Sequence, residues 1–301
     1  MVMPQQDKGA PSGGRYALIT SAWNEEAYIE APLNAVTAQT VAPQVWIIVS
    51  DASSDRTDEI VRAYSEHYDF IRLYRLPQGH QRSFAACIDA INSGYEQIRG
   101  LCFDFVGNLD ADISVEPDYF ERLLRQFESD PRLGLAGGVI CEKKGGTFRE
   151  RRLNRPHSVG LAVQFFRREC FDALGGYTRL CYGSSDWHAE VSMRMRGWDV
   201  RSIAGLRAYH HRPTGTAGSP LSYGYRQGLA DYSLGTHPLF EIAKVVRRLP
   251  DSPFGTTALA ELMGFVQACL KHKDREASQE FIEFLRKEQL HRIFMRTQLY
   301  Q

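Results

Sequence analysis

The sequence carries no excess of charge of either sign: 36 lysines and arginines balance 36 aspartates and glutamates. A global basic field of the kind that draws a protein onto nucleic acid is therefore excluded. No segment approaches the run of about 18 apolar residues that a helix needs to cross a bilayer, so no transmembrane segment is expected. The six cysteines are scattered and form no CxxC pair. That suits reduced, buried thiols in a cytosolic protein, as Cys87, Cys141 and Cys170 lie in or beside apolar stretches. No GxGxxG follows the first apolar run, which disfavours a dinucleotide-dependent dehydrogenase. No internal repeat is found.

What is present begins with a leader, residues 1–14, polar and rich in glycine and proline, which reads as disordered and not as a signal peptide. From Tyr16 onward short apolar runs alternate with helix-period segments. Residues 16–22, 45–50, 70–76 and 101–109 read as strands, the first two as strands covered on both faces. Residues 25–39 and 83–95 read as helices, although Pro32 argues for a late start or a kink in the first. Asp55 and Asp58 mark a helix start after the second strand. Pro117 opens a helix whose apolar stripe is Tyr119, Phe120, Leu123, Leu124 and Phe127. This alternation predicts an α/β fold with a mainly parallel sheet and helices on both faces.

Beyond Gly137 the pattern loosens. Residues 141–157 are basic, with Lys143, Lys144, Arg149, Arg151, Arg152 and Arg155 around Gly145-Gly146, and read as a mobile loop, a candidate lid or lipid-facing segment. A strand-to-helix unit follows at 161–174, then a helix at 186–196 and a short strand at 200–203. After residue 214 the pattern is helical. The expected division is a leader (1–14), a catalytic domain (15–215) and a C-terminal helical extension (216–301).

The acids fall where strands end, which is where open α/β sheets bind ligands. NLDAD, residues 108–112, closes the fourth strand. Two carboxylates two residues apart can meet one hard cation, Mg2+ or Mn2+, while phosphates supply further oxygens. SAWNEE follows the first strand and VSDASSDRT ends the second. FFRRECFDALGGY, SSDWHAEVSMRMRGW and AYHHR come later, in that order. Together these segments, over residues 16–213, resemble the family 2 glycosyltransferases, whose catalytic domain has the GT-A fold.

The resemblance implies an inverting transfer of a sugar from a nucleoside-diphosphate sugar to an acceptor hydroxyl, in polysaccharide or glycoconjugate synthesis. Asn24 and Glu25 match the loop that meets the nucleotide, and Asp51 the acid for the base or ribose. Ser50 stands where the family often has a second acid. Arg82 matches a basic residue near the nucleotide. Asp110 and Asp112 match the two acids of the D-x-D element, with Asp112 on the metal. Asp186 matches the catalytic base, which takes the acceptor proton. Here Ser185 replaces the usual preceding glutamate, and Glu190 is a second carboxylate one turn on. His210 and His211 lie where relatives place a metal or phosphate ligand, with His210 the first choice, and Arg212 is a diphosphate contact. Asp55 is preferred as a helix cap.

Two other classes stay open: a nucleotidyltransferase, which would normally carry a Gly-rich basic signature where SAWNEE stands, and a non-catalytic nucleotide-sugar-binding protein. The acceptor, whether glycan, lipid-linked or small molecule, is not specified. The C-terminal helices are candidates for an acceptor groove, a homodimer face or a rest on a membrane surface. The expected location is cytoplasmic, with peripheral contact at the inner membrane face.

Overall fold

A computed structural model describes residues 14–77, 83–151, 154–212, 219–249 and 255–294. It divides into two compact units. The first holds the described residues up to Gln81 together with Ala90–Gly176 and Trp198–Arg212. The second holds those of Arg82–Asp89, Tyr177–Gly197 and Pro213–Gln301. Two short segments of the expected catalytic domain thus group with the C-terminal helices.

The first unit is built on one sheet. Its strands are β1 (Tyr16–Ala22), β2 (Val45–Ser50), β3 (Ile71–Arg75), β4 (Phe105–Asn108), β5 (Ile113–Val115), β6 (Leu133–Lys144), β7 (Thr147–Glu150), β8 (Phe165–Arg167) and β9 (Asp199–His210). Their order is β3-β2-β1-β4-β8-β6-β9-β5, with β7 on β6. The parallel register expected from the strand–helix alternation holds across β3, β2, β1 and β4. Beyond β4 the sheet is mixed: β8 runs antiparallel to β4 and β6, β9 is parallel to β6, and β5 is antiparallel to β9. β1 is buried along nearly all of its length and β2 throughout, as central strands covered on both faces must be.

The helices connecting this sheet follow the sequence signals with shifts at their ends. α1 (Glu30–Thr37) starts late, with Pro32 inside its first turn, where its missing N–H costs nothing. α2 (Thr57–Ser65) is prepared by Asp55, whose Oδ1 accepts the Thr57 amide at 3.0 Å. α3 spans Phe84–Ile98, and α4 (Tyr119–Ser129) buries all five residues of its predicted stripe. α5 (Arg168–Leu174) stops at Gly175, whose φ of 71° continues no helix.

Residues 141–150 are a β-hairpin and not the expected mobile loop. β6 and β7 pair as Cys141↔Glu150, Glu142↔Arg149 and Lys143↔Phe148. Gly145 and Gly146 make the two-residue turn, with φ of 59° and 86°. Two consecutive positive φ values define the turn whose twist matches a hairpin, and glycine adopts them without strain. Opposite charges across the strands suit the pairing. The basic charge and the two glycines together suggested a loop, whereas the glycine pair marks a hairpin turn. Arg152 lies outside the described residues.

The second unit contains α6 (Ser185–Met195), α7 (Pro220–Ser233), α8 (Pro238–Arg248), α9 (Thr256–Leu270) and α10 (Gln279–Phe294). Leu180, Val191, Leu234, Phe281, Ile282 and Leu285 form one of its apolar clusters; Leu229, Tyr232, Phe265 and Ala268 form another. No helix among the described residues is long and apolar enough to cross a membrane.

Candidate active site

The site in the first unit starts from how the NLDAD segment is held. Leu109 donates its amide to the Ile19 carbonyl at 3.0 Å, and its own carbonyl accepts the Thr20 hydroxyl at 2.6 Å. Thr20 Oγ1 in turn accepts the Trp46 indole N–H at 2.9 Å, so three strands fix one peptide in a buried network. On the other side, Asn108 and Asp110 donate their amides to Gln164 and Ala162. The segment that carries the acids is thereby gripped from both flanks, with little freedom left to it.

β5 then turns the chain so that Asp112 meets the end of β9. Ile113 pairs with His210, and the His211 amide donates to the Asp112 carbonyl at 2.9 Å. Asp112, only 8% exposed, has Oδ1 3.3 Å from His210 Nε2 and Oδ2 3.2 Å from Arg212 Nε. Arg212 is also ion-paired to Glu25 Oε2 and lies over the Tyr28 ring, 4.8 Å from its centroid. Asp110 Oδ1 accepts the Asn108 amide group at 2.9 Å.

The two histidines separate. Burial opposes a charge on His210, but its bond to Asp112 and the charges of Asp112, Asp110 and Glu142 prevail, holding its pKa above the ordinary value. His211 instead places Nε2 2.7 Å from Ser114 Oγ and packs edge-on to Phe148 at 5.4 Å. Burial, partly countered by Asp112, pulls its pKa below the ordinary value. His210 is therefore the histidine beside the acid, and His211 is tied into the sheet.

Asn24 and Glu25 build the neighbouring loop. Asn24 adopts a left-handed φ of 54°, donates its amide to Ser53 Oγ at 3.1 Å and accepts the Ser54 amide at 2.8 Å. Glu25 donates to Thr57 Oγ1 at 2.7 Å. The loops after β1 and β2 are thus laced together beside Asp51, whose amide donates to the Ala22 carbonyl at 2.9 Å. Sequence reasoning missed Tyr28, Phe148 and Glu142. Glu142 pairs in register with His210, a placement that only the β6–β9 ladder reveals.

The donor set fits a hard divalent ion. Asp112 Oδ1 and His210 Nε2 stand close enough to meet one cation, and carboxylate with imidazole is a pair that Mn2+ accepts. Asn108 Oδ1 and Glu142 Oε1 are buried and accept no hydrogen bond, which leaves acceptor capacity at both edges of the site. A tighter acid cluster, Asp231, Glu241 and Glu261, lies in the second unit. There the ammonium of Lys244 already stands 2.5, 2.8 and 2.6 Å from the three carboxylates, where a cation would sit.

Asp186 lies in the second unit, in the first turn of α6, half-buried, with Oδ1 2.9 Å from the Trp187 amide. Glu190 is buried with Arg194 at 3.7 Å, and Arg194 also meets Glu288 of α10 at 2.8 Å. Glu190 is thus held by Arg194, which in turn ties α6 to α10. Arg82 lies outside the described residues.

Residues 17–184 match the model of the family described as Glycosyl transferase family 2. The chain belongs to this family. Among curated relatives, the poly-β-1,6-N-acetyl-D-glucosamine synthase of Staphylococcus aureus (strain COL) is 32% identical over 120 residues. That match takes in 40% of this chain and 27% of the synthase, so the chain spans well under half of that relative. Among solved structures, the mannosyltransferase PcManGT of Pyrobaculum calidifontis, in complex with GDP-Man and Mn2+, aligns with a TM-score of 0.55 at 17% identity. The alignment covers 93% of this chain and 81% of that one. TarS residues 1–349 of S. aureus, in complex with UDP-GlcNAc, align with a TM-score of 0.55 at 13% identity, covering 94% and 82%. At these identities the likeness is one of fold, and the fold is GT-A.

Proposed function

We propose that this family 2 member transfers a sugar from a nucleoside-diphosphate sugar to an acceptor hydroxyl, with inversion, in polysaccharide or glycoconjugate synthesis. The observation that carries the reading is the meeting of Asp112, His210, Arg212 and Glu25 beyond the carboxyl ends of β1 and β4. Family membership and relatives bearing UDP-GlcNAc or GDP-Man support it.

In this reading Asp51, Asn24 and Glu25 border the nucleoside, and Arg212 meets the diphosphate as a charge-assisted donor. Asp112 and His210 hold a divalent cation, Mn2+ or Mg2+, with Asp110 beside them. When bound, that ion supplies positive charge against the departing diphosphate. Asp186 takes the proton of the acceptor hydroxyl as its oxygen forms a bond to the anomeric carbon. The bond from that carbon to the diphosphate oxygen breaks on the opposite side, and the nucleoside diphosphate leaves with the bonding pair. The configuration at carbon is thereby inverted. A cytoplasmic setting is kept, supported by six cysteines that form no disulfide, of which Cys141 and Cys170 are buried and Cys102 and Cys181 exposed.

The test is a donor-hydrolysis screen over UDP-, GDP- and dTDP-sugars with Mn2+, with Mg2+ and with chelator. Turnover of one donor class, abolished by chelator, is expected. Failure of every donor to bind by calorimetry sinks the reading.

A further inference from the structure

The charges of α7, α8 and α9 are sorted by sign. These helices contain three carboxylates among the described residues, Asp231, Glu241 and Glu261, and all three are buried. Lys244 sits among them and Arg248 pairs with Glu261. Burying such a cluster is costly, and burial with the neighbouring Asp231 charge pushes the Glu241 pKa up to about 7. The consequence for the surface is that every exposed charged side chain on the three helices is basic, namely Arg226 and Arg247; beyond α9 come exposed Lys271 and Asp274.

The same helices expose large apolar side chains at helical spacing. Leu239, Ile242 and Val246 line the outside of α8; Met263, Val266 and Leu270 line that of α9, with Met263 66% and Leu270 75% exposed. The spacings of three, four and seven residues keep each set on one face. The inward faces are already committed: Val245 to the interior of α8, Phe265 and Ala268 to the packing of α9. Isolated surface leucines need no explanation, but two neighbouring helices with such stripes do.

We infer that the outer faces of α8 and α9 dock on the surface of a membrane containing anionic phospholipid. The apolar stripes enter the boundary between headgroups and acyl chains, and Arg226, Arg247 and Lys271 meet the phosphates. Charge complementarity selects this occupant: an interface rich in anionic headgroups fits three helices whose own carboxylates are all buried and whose exposed charges are basic. A second copy of the chain would bring cation against cation. The inference stands apart from the transferase reading and needs no donor or metal.

The experiment is sedimentation of the full chain with phosphatidylcholine vesicles containing none or about a third phosphatidylglycerol, which sets the surface charge the basic rim reads. The protein is expected to pellet with the anionic vesicles at least tenfold more than with the neutral ones. Ile242→Ser, Val246→Ser, Met263→Ser and Leu270→Ser combined should abolish that pelleting, and Arg226→Glu with Arg247→Glu should remove the preference for anionic lipid. Leu270→Trp in the otherwise unchanged chain should shift its emission to the blue on adding anionic vesicles, a readout that survives if the fourfold variant misfolds. Wild-type protein that stays in the supernatant with anionic vesicles overturns the inference. So does concentration-dependent dimerisation that the fourfold variant removes while vesicle binding is absent.

Discussion

Arg212 lies against Asp112, with Nε 3.2 Å from Oδ2, so the acid proposed for the metal is already neutralised by a side chain from the same chain. The other side of the guanidinium is taken by Glu25, and its face by the Tyr28 ring. A divalent ion reaching Asp112 competes with this guanidinium, whereas a donor diphosphate offers Arg212 a new partner. Removing the arginine should therefore act in opposite directions on the two ligands. In Arg212→Met, Mn2+ alone should bind about 3- to 10-fold tighter, and donor with Mn2+ at least about 10-fold weaker, each tenfold being about 1.4 kcal/mol. Mn2+ paramagnetic resonance and calorimetry read the two constants. Equal weakening of both excludes the exchange.

Asp112→Asn keeps the shape of the side chain and removes its charge. His210 loses the carboxylate that raises its pKa, and the proposed cation site loses the anionic ligand that stands beside His210. Mn2+ affinity should fall by about 100-fold or more, on the scale of a lost charged ligand at about 1.4 kcal/mol per tenfold. Asp186→Asn should leave Mn2+ and donor binding unchanged while transfer collapses by about 1,000-fold, within the range of general-base loss. Normal transfer by the Asp186 variant removes it as the base.

How much of this was legible follows from separation along the chain. NLDAD, SAWNEE and VSDASSDRT could be placed because each closes an apolar strand, and a strand end is a local signal. The meeting of Asp112 with His210 could not, since it is made by β5, three residues long, pairing with the end of β9. β9 itself was expected only over 200–203 but runs Asp199–His210. Its outward positions, Arg201 and Arg207, are polar, and the register shift between Gly138 and Val139 on β6 breaks its alternation. Glu190 looked like a spare carboxylate because it lies one turn from Asp186. Arg194 stands only four residues on, but its link to Glu288 of α10 is invisible at that range.

His188 on α6 gives a pH dependence with a definite sign. Burial first, and then the charge of Arg196, lowers its pKa from 6.5 to about 4, while its ring stacks on Phe281 at 4.6 Å. Below 6.5 the unfolded chain takes a proton that the folded chain refuses until about 4. The contribution of the neutral ring is thus complete above 6.5 and is lost as pH falls towards 4, by at most about 3 kcal/mol. His188→Phe should melt closer to wild type, or above it, at pH near 4.5 than at pH 7.5, as followed by thermal denaturation. A difference between the two proteins that does not change with pH rejects the assignment.

Gly228 is required by space and not by backbone conformation. A Cβ there would stand 1.8 Å from the Glu261 carbonyl oxygen and 2.7 Å from the Phe265 nitrogen. On the facing helix, a Cβ at Gly264 would stand 2.1 Å from the Tyr225 carbonyl oxygen. Helices α7 and α9 therefore pack backbone to backbone, and neither contact can be relieved by turning a side chain. Alanine is the better helix former by about 1 kcal/mol, so propensity alone predicts that Gly228→Ala stabilises. Separating the helices should outweigh it, because the residue pushed away, Glu261, is also held by Lys244 and Arg248 of α8. A net loss of about 2–3 kcal/mol in denaturant unfolding is expected, at the upper end for an overpacked core. Gly100→Ala, where nothing lies within 4 Å of the added carbon, should change stability little. If the two alanine variants unfold at the same denaturant concentration, close backbone contact is not what holds α7 to α9.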